Sequence, residues 1–125
     1  MANWTPESFI GQLFKTIGRH VPPAPGAQSP ALWGTEAHLA KLFGGQASVR
    51  IAPHAFTFRY LSPAHFVDVF RTWYGPTLKA FAAVGEGGKA ALEQDILDLI
   101  AAMNRAKDGT MVLDSAYSEV IATRL

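Results

Sequence analysis

Histidines are the first residues to consider for catalysis or metal binding. The four histidines are His20, His38, His54 and His65, and no two of them stand four residues apart. A metal site on a helix needs such a pair, or a carboxylate at ligand spacing. The chain has no cysteine, which excludes thiolate ligands and thiolate nucleophiles. The sequence therefore predicts no metal centre.

The acidic and glycine-rich segments also have structural interpretations. Glu93, Asp95 and Asp98 are expected on the solvated face of a helix. The Gly85–Gly88 segment lacks the preceding strand and the Lys-Ser/Thr pair of a phosphate-binding loop, so it is predicted to be a turn. The sequence therefore predicts neither catalytic nor cofactor-binding residues.

Aromatic side chains are the remaining chemical signal. A stripe of apolar residues that ends in Trp73 has helical spacing and is expected to pack in the core. Trp4, Trp33 and Tyr74 instead stand beside helix starts and glycines. Aromatic rings with a polar group often line pockets. For these three residues, pocket lining and core packing remain alternatives.

The composition limits the class of protein. The chain has 125 residues, of which 49% are hydrophobic and 17% charged, and its net charge is +1. This length predicts one domain, residues 1–125. The balanced charge argues against nucleic-acid binding, and no apolar run is long enough to predict a membrane span. We expect a cytoplasmic protein whose low charge is typical of a chain that buries surface against a partner.

Hydroxyl–proline pairs mark the expected helix starts. A first helix is predicted after Thr5-Pro6, and a second from Thr35 to Gly44. Ser29-Pro30 opens either a short helical turn or a packed loop. Ser62-Pro63 opens a third helix, and Gly75-Pro76 separates it from a fourth. The clearest amphipathic stripe predicts a long helix over about residues 86–107.

Two segments have the composition of strands, residues 48–61 and 110–124. In the first of them, Val49 and Ile51 differ in parity from Phe56 and Phe58, which predicts a bulge or a bend near Pro53-His54. The fold class expected is α+β, with four to five helices packed on an antiparallel pair of strands. A sheet of two strands is only marginally stable, so we expect further strands to be supplied by residues outside this chain.

Six segments carry a likeness to a known family, and together they cover nearly the whole chain in order. They are Ala2–Phe14, Ser29–Glu36, Phe56–Tyr60, Phe70–Thr77, Asn104–Ala106 and Ser115–Arg124. Their succession resembles the C-terminal portion of class I S-adenosylmethionine-dependent methyltransferases. The most similar kind is the small-molecule type found in quinone biosynthesis.

The resemblance implies the last part of a Rossmann-like methyltransferase sheet. Residues 48–61 would be the sixth strand and residues 110–124 the seventh, which in the family lies between the fifth and the sixth. The fifth strand is expected to be absent. In the parent family, S-adenosylmethionine is held by a glycine-rich loop after the first strand and an acidic residue ending the second. The sequence has neither element, so no cofactor is expected for this chain alone.

The function that the resemblance implies is a wall of the acceptor-substrate pocket, not catalytic by itself. The candidate pocket residues are Trp4, Trp33, Arg59, Tyr60 and Tyr74. One alternative is a stand-alone binding module in which these side chains take a small apolar ligand. The other is a structural subunit that completes the sheet of another chain.

A homodimer is the last expectation. With the fifth strand missing, the final strand, residues 110–124, should expose one edge beside apolar side chains such as Val120 and Ile121. Two copies would then pair last strand against last strand around a twofold axis. Replacing Val120 with proline should remove one of the edge N–H groups.

Overall fold

A three-stranded antiparallel sheet forms the centre of the molecule. The computed structural model describes all 125 residues. The strands are β1 (Ala2–Trp4), β2 (Ala47–Tyr60) and β3 (Met111–Arg124), in the order β1-β3-β2. The expected antiparallel pair of long strands is confirmed, and β1 adds a short third strand beside it.

Five α-helices accompany this sheet, which confirms the α+β class. They are α1 (Phe9–His20), α2 (Glu36–Phe43), α3 (Pro63–Trp73), α4 (Gly75–Ala83) and α5 (Gly85–Met103). A short 3-10 helix, Pro30–Gly34, precedes α2. None of these helices combines the length and the apolar character needed to cross a membrane.

Serine hydroxyls cap helices at two of the three expected hydroxyl–proline pairs. The Ser62 hydroxyl accepts a hydrogen bond from the His65 N–H at the start of α3, and Ser29 caps the 3-10 helix in the same way. These side chains satisfy backbone donors that have no partner within the helix. The capping prediction was right there because it depends only on adjacent residues.

Helix α1 begins later than predicted. Residues 5–8 form a turn in which the Ser8 hydroxyl donates to the Thr5 carbonyl, and the Ser8 oxygen accepts from the Gly11 N–H. A second oxygen, from Ser115 on β3, accepts from the Ile10 N–H at 3.2 Å. The first turn of α1 is thus attached to the sheet, with Phe9 and Ile10 completely buried.

Of the bulge or bend predicted near Pro53-His54, the bulge is wrong. Strands β2 and β3 pair without interruption from Ala47 opposite Arg124 to Tyr60 opposite Met111. The change of parity arises because helices cover opposite faces of the sheet at its two ends. Helices α1, α3 and α5 pack on the face that carries Phe58, here named the core face. The opposite face, here named the back face, is covered by the 3-10 helix and, near Val49 and Ile51 of β2, by α2.

The main core lies between the core face and these helices. Its side chains come from α1, α3, α4, α5 and the ends of β2 and β3 that lie beneath them. Phe66 and Phe70 are buried there as predicted, but Trp73 is 82% exposed. Trp73 is the last residue of α3, and its side chain lies in solvent beyond the buried stripe of Phe66, Val67 and Phe70.

The position of β3 also changes the expected sheet edge. Strand β1 pairs with Tyr117–Glu119, so β3 is the central strand and not an open edge over this segment. The Val120 N–H donates to the Met1 carbonyl at 2.7 Å. Proline at position 120 would therefore break the attachment of β1, and it does not test pairing between two copies.

Candidate aromatic binding groove

A row of three aromatic rings crosses the core face of the sheet. Trp4 on β1 is opposite Tyr117 on β3, and Tyr117 is opposite His54 on β2. The Trp4 and Tyr117 rings meet edge-on at 5.9 Å, whereas Tyr117 and His54 are stacked at 5.3 Å. The row thus places a continuous strip of ring surface across all three strands.

Two shallow cavities adjoin Trp4 and together form the groove. The inner cavity is about 290 Å³ and is lined by Trp4, Ile10, Phe56, Phe58, Phe70 and Tyr74. The outer cavity is about 310 Å³ and is lined by Ala2, Asn3, Trp4, Phe56 and Tyr117. Trp4 and Phe56 belong to both. Each cavity alone is at the small end of ligand sites, and one molecule of two or three fused rings could occupy both.

Close backbone packing fixes the position of Trp4. The Thr5 N–H donates to the Ala116 carbonyl, and the 3-10 helix packs against the other side of β1. At Gly34, an added Cβ would lie 2.5 Å from the Trp4 carbonyl oxygen. The Ser118 hydroxyl also donates to the Gly34 carbonyl at 2.8 Å. A glycine is therefore required where the 3-10 helix meets β1.

The far wall of the groove comes from β2 and the end of α3. Phe58 is 5.8 Å from Trp4 and 6.1 Å from Phe70, measured between ring centroids. Phe56 lies 4.9 Å from Phe58 but is 52% exposed. An aromatic ring that is held by a neighbour and yet half-open to solvent is well suited to contact a ligand.

Tyr74 places a phenol at the inner end. It is the single residue between α3 and α4, and its ring packs 4.7 Å from Phe70. Burial raises the pKa of Tyr74 above its ordinary value. The phenol therefore keeps its proton at neutral pH and can donate a hydrogen bond.

The structure brings together two of the five candidate pocket residues, Trp4 and Tyr74. Tyr60 packs edge-on against Phe66 at 5.1 Å, behind the groove, and burial raises its pKa too. Arg59 is exposed on the back face of β2. Trp33 lies on the 3-10 helix, 6.0 Å from the His38 ring and 40% exposed.

Sequence reasoning missed Phe56, Phe58 and Tyr117 as groove residues, and His54 as the ring stacked beside them. The spacing of Phe56 and Phe58 does place them on one face of a strand. What it does not supply is the register with β3, which sets Tyr117 beside His54 and Trp4. A pairing of residues 47–60 with residues 111–124 was needed to find the row.

The residues of this chain do not fit S-adenosylmethionine as the family binds it. The glycine-rich segment opens helix α5 and directly follows helix α4, so no strand leads into it. The groove is lined almost wholly by apolar side chains, which offer no carboxylate for a ribose and no cradle of backbone N–H groups. No group of three or more metal-ligating side chains occurs either.

Comparison with known proteins finds relatives but no family. No protein-family model matches the chain. It is 33% identical over 102 residues to the uncharacterized protein Rv1403c of Mycobacterium tuberculosis, covering 78% of this chain and 37% of that protein. It is 33% identical over 112 residues to the uncharacterized protein Rv1405c of the same organism, covering 87% and 41%. Corresponding proteins of Mycobacterium bovis match equally. The chain thus spans about two fifths of the length of these relatives.

Proposed function

We propose that residues 1–125 form the acceptor-substrate wall of a small-molecule methyltransferase that uses S-adenosylmethionine, and that they are not catalytic alone. The observation that carries the proposal is the aromatic groove on the core face, where Trp4, Phe56 and Tyr74 converge. A groove with this lining suits a flat apolar molecule better than a polar one.

The strand order supports the same proposal. The methyltransferase resemblance implies that the seventh strand lies between the fifth and the sixth. In this chain β3 lies between β1 and β2 and is antiparallel to both. Strand β1 then takes the place of the end of the fifth strand, which we had expected to be absent.

The length of the relatives is consistent with a further part. The chain covers 37% of Rv1403c and 41% of Rv1405c. The rest of such a protein has room for a cofactor-binding half, and we propose that this half supplies the cofactor site that the present residues lack. In that arrangement this chain holds the acceptor and excludes water from it, whereas the other half holds the methyl donor.

Tryptophan fluorescence tests the groove. The Trp33→Phe/Trp73→Phe double variant leaves Trp4 as the only tryptophan, and both replaced side chains are exposed. We expect the neutral dye N-phenyl-naphthylamine to quench Trp4 saturably. In the same background, Phe56→Ala should weaken binding severalfold, because a half-exposed ring that touches the ligand is lost at little cost to the fold.

The matched control is Leu42→Ala, which removes a 48% exposed apolar side chain on α2, on the other side of the sheet. It should leave the affinity unchanged. Quenching that never saturates, or equal effects of the two alanine variants, would contradict a binding groove at Trp4.

Calorimetry tests the division between the two halves. We expect no measurable heat of binding when S-adenosylmethionine is titrated into this chain, since the residues do not fit it. Micromolar binding would overturn the proposal that the cofactor site lies elsewhere.

A second candidate function is a stand-alone binding module for small apolar ligands. It is favoured by the core, in which 14 buried residues from both helices and strands close on one another within this chain. A capture experiment discriminates the two. The tagged chain should retain the remaining segment of the Rv1405c protein if it is a methyltransferase wall or a structural subunit, and should not retain it if it acts alone.

We still propose a homodimer, but through a different edge of the sheet. Strand β1 covers the middle of β3, so the long free edge is that of β2. Light scattering at micromolar concentration should show a dimer, and a monomer would refute it. A cytoplasmic location is also still a proposal, and fractionation of the native host would test it.

A further inference from the structure

The two ends of the groove differ in polarity. The inner end is closed by Ile10, Phe58 and Phe70, which are at most 8% exposed. The outer end is lined by the partly exposed Tyr117, and the exposed His54 ring stacks against Tyr117 beside the cavity. A molecule that fills the groove therefore meets hydrocarbon at one end and hydrogen-bonding groups at the other.

His54 lies just outside the lining of the outer cavity, next to Tyr117, where a ligand that extends from the groove would reach it. Its ring is exposed and stacked on Tyr117, and neither of its nitrogens bonds to another group of the protein. The charged side chains nearest to it on the same face are Arg50 and Glu119, which have opposite signs. A neutral imidazole carries one N–H donor, which suits an oxygen acceptor.

We propose that His54 determines ligand specificity, and that the ligand is a flat aromatic molecule with an oxygen-containing head group at one end. Its rings lie between Trp4 and Phe56, and its head group accepts a hydrogen bond from His54. This inference rests on the proposed binding function of the groove and adds the orientation and chemical class of the ligand.

The opposite orientation is disfavoured by burial. An oxygen head group at the inner end would lose its water among buried rings, and polar groups without partners are costly there. Apart from the indole of Trp4, which both cavities share, the Tyr74 hydroxyl is the only side-chain donor lining the inner cavity. Tyr74→Phe therefore tests the reversed orientation directly.

Two dyes that differ only in a head group test the inference. Anilinonaphthalene sulfonate carries a sulfonate that N-phenyl-naphthylamine lacks, and both are titrated against Trp4 in the Trp33→Phe/Trp73→Phe background. We expect His54→Phe, which keeps a ring stacked on Tyr117, to weaken binding of the sulfonate dye about fivefold, the value of one net hydrogen bond. The neutral dye should bind the variant unchanged. His38→Phe is the matched control, because His38 lies beside Trp33 outside the groove.

The outcomes separate the inference from the proposed function. If neither dye quenches Trp4 saturably, the groove is not a binding site and both fail. If both dyes bind but His54→Phe affects them equally or not at all, the role of His54 is refuted and the groove stands. If Tyr74→Phe, and not His54→Phe, selectively weakens the sulfonate dye, the orientation is reversed and the inference is wrong.

Discussion

Replacing Gly34 with alanine should destabilise the protein and displace Trp4. The new Cβ would lie 2.5 Å from the Trp4 carbonyl oxygen and 3.1 Å from that of Asn3. Both atoms belong to the backbone of β1, which cannot turn aside as a side chain can. The 3-10 helix and β1 must therefore move apart.

The magnitude follows from two opposing effects. Overpacking of this kind costs about 1–3 kcal/mol, whereas replacing glycine by alanine restricts the unfolded chain and returns about 0.4–1 kcal/mol. Gly34 has no left-handed backbone angle, so no conformational strain adds to the cost. We expect a net loss of about 1–2 kcal/mol in the free energy of unfolding, measured by urea denaturation with circular dichroism.

Gly18→Ala is the matched control for this change. Gly18 lies within α1, and an added Cβ there would have no atom within 4 Å. Alanine in a helix is favoured over glycine by about 0.5–1 kcal/mol, so this variant should be more stable than the parent. The reasoning is refuted if Gly34→Ala is as stable as the parent and binds the neutral dye equally well.

Three further changes have defined expectations. Asn104→Ala should cost about 2–3 kcal/mol by urea denaturation, because the Asn104 side chain makes three hydrogen bonds, two of which connect the end of α5 to the start of β3. A cost below about 0.5 kcal/mol, the lower limit for one hydrogen bond, would count against this role. Ser115→Ala should cost about 1–2 kcal/mol, because the buried Ile10 N–H loses its acceptor, and an unchanged urea midpoint would disprove the cap. Burial raises the pKa of Tyr60 and of Tyr74, so the folded protein holds these two phenol protons more tightly than the unfolded chain does. The resulting stabilisation is complete below the unfolded pKa of about 10 and is lost as the pH rises through the folded-state pKa values. Tyr74→Phe should make the loss of stability at alkaline pH less steep, and an unchanged slope would show that Tyr74 is not protected.

The local features of the fold could be predicted from the sequence. Ser62 caps α3 because its hydroxyl needs only a neighbouring N–H, and the two long strands are evident from their composition. Strand β1 could not be predicted, since three residues carry no period of their own and form a strand only by pairing with β3. The parity change in β2 was interpreted as a bulge or bend for a similar reason. The sequence does not show that α2 covers the back face where Val49 and Ile51 lie.

The same distinction applies to the groove. Trp4 and Tyr74 were recognised because each stands beside a helix start, which is visible in the sequence. Tyr117 and His54 became neighbours only through a register of strands that are more than fifty residues apart. Residues that meet through long-range pairing cannot be found from periodicity alone.

A nitrogen–proton correlation spectrum of the unmodified chain tests the groove most directly, because the indole N–H groups of Trp4, Trp33 and Trp73 each give one signal. Single Trp→Phe variants assign the three signals. Addition of N-phenyl-naphthylamine should shift the Trp4 signal saturably and leave those of the exposed Trp33 and Trp73 in place. Equal movement of all three signals, or movement of Trp33 or Trp73 alone, would contradict a binding site at the aromatic groove.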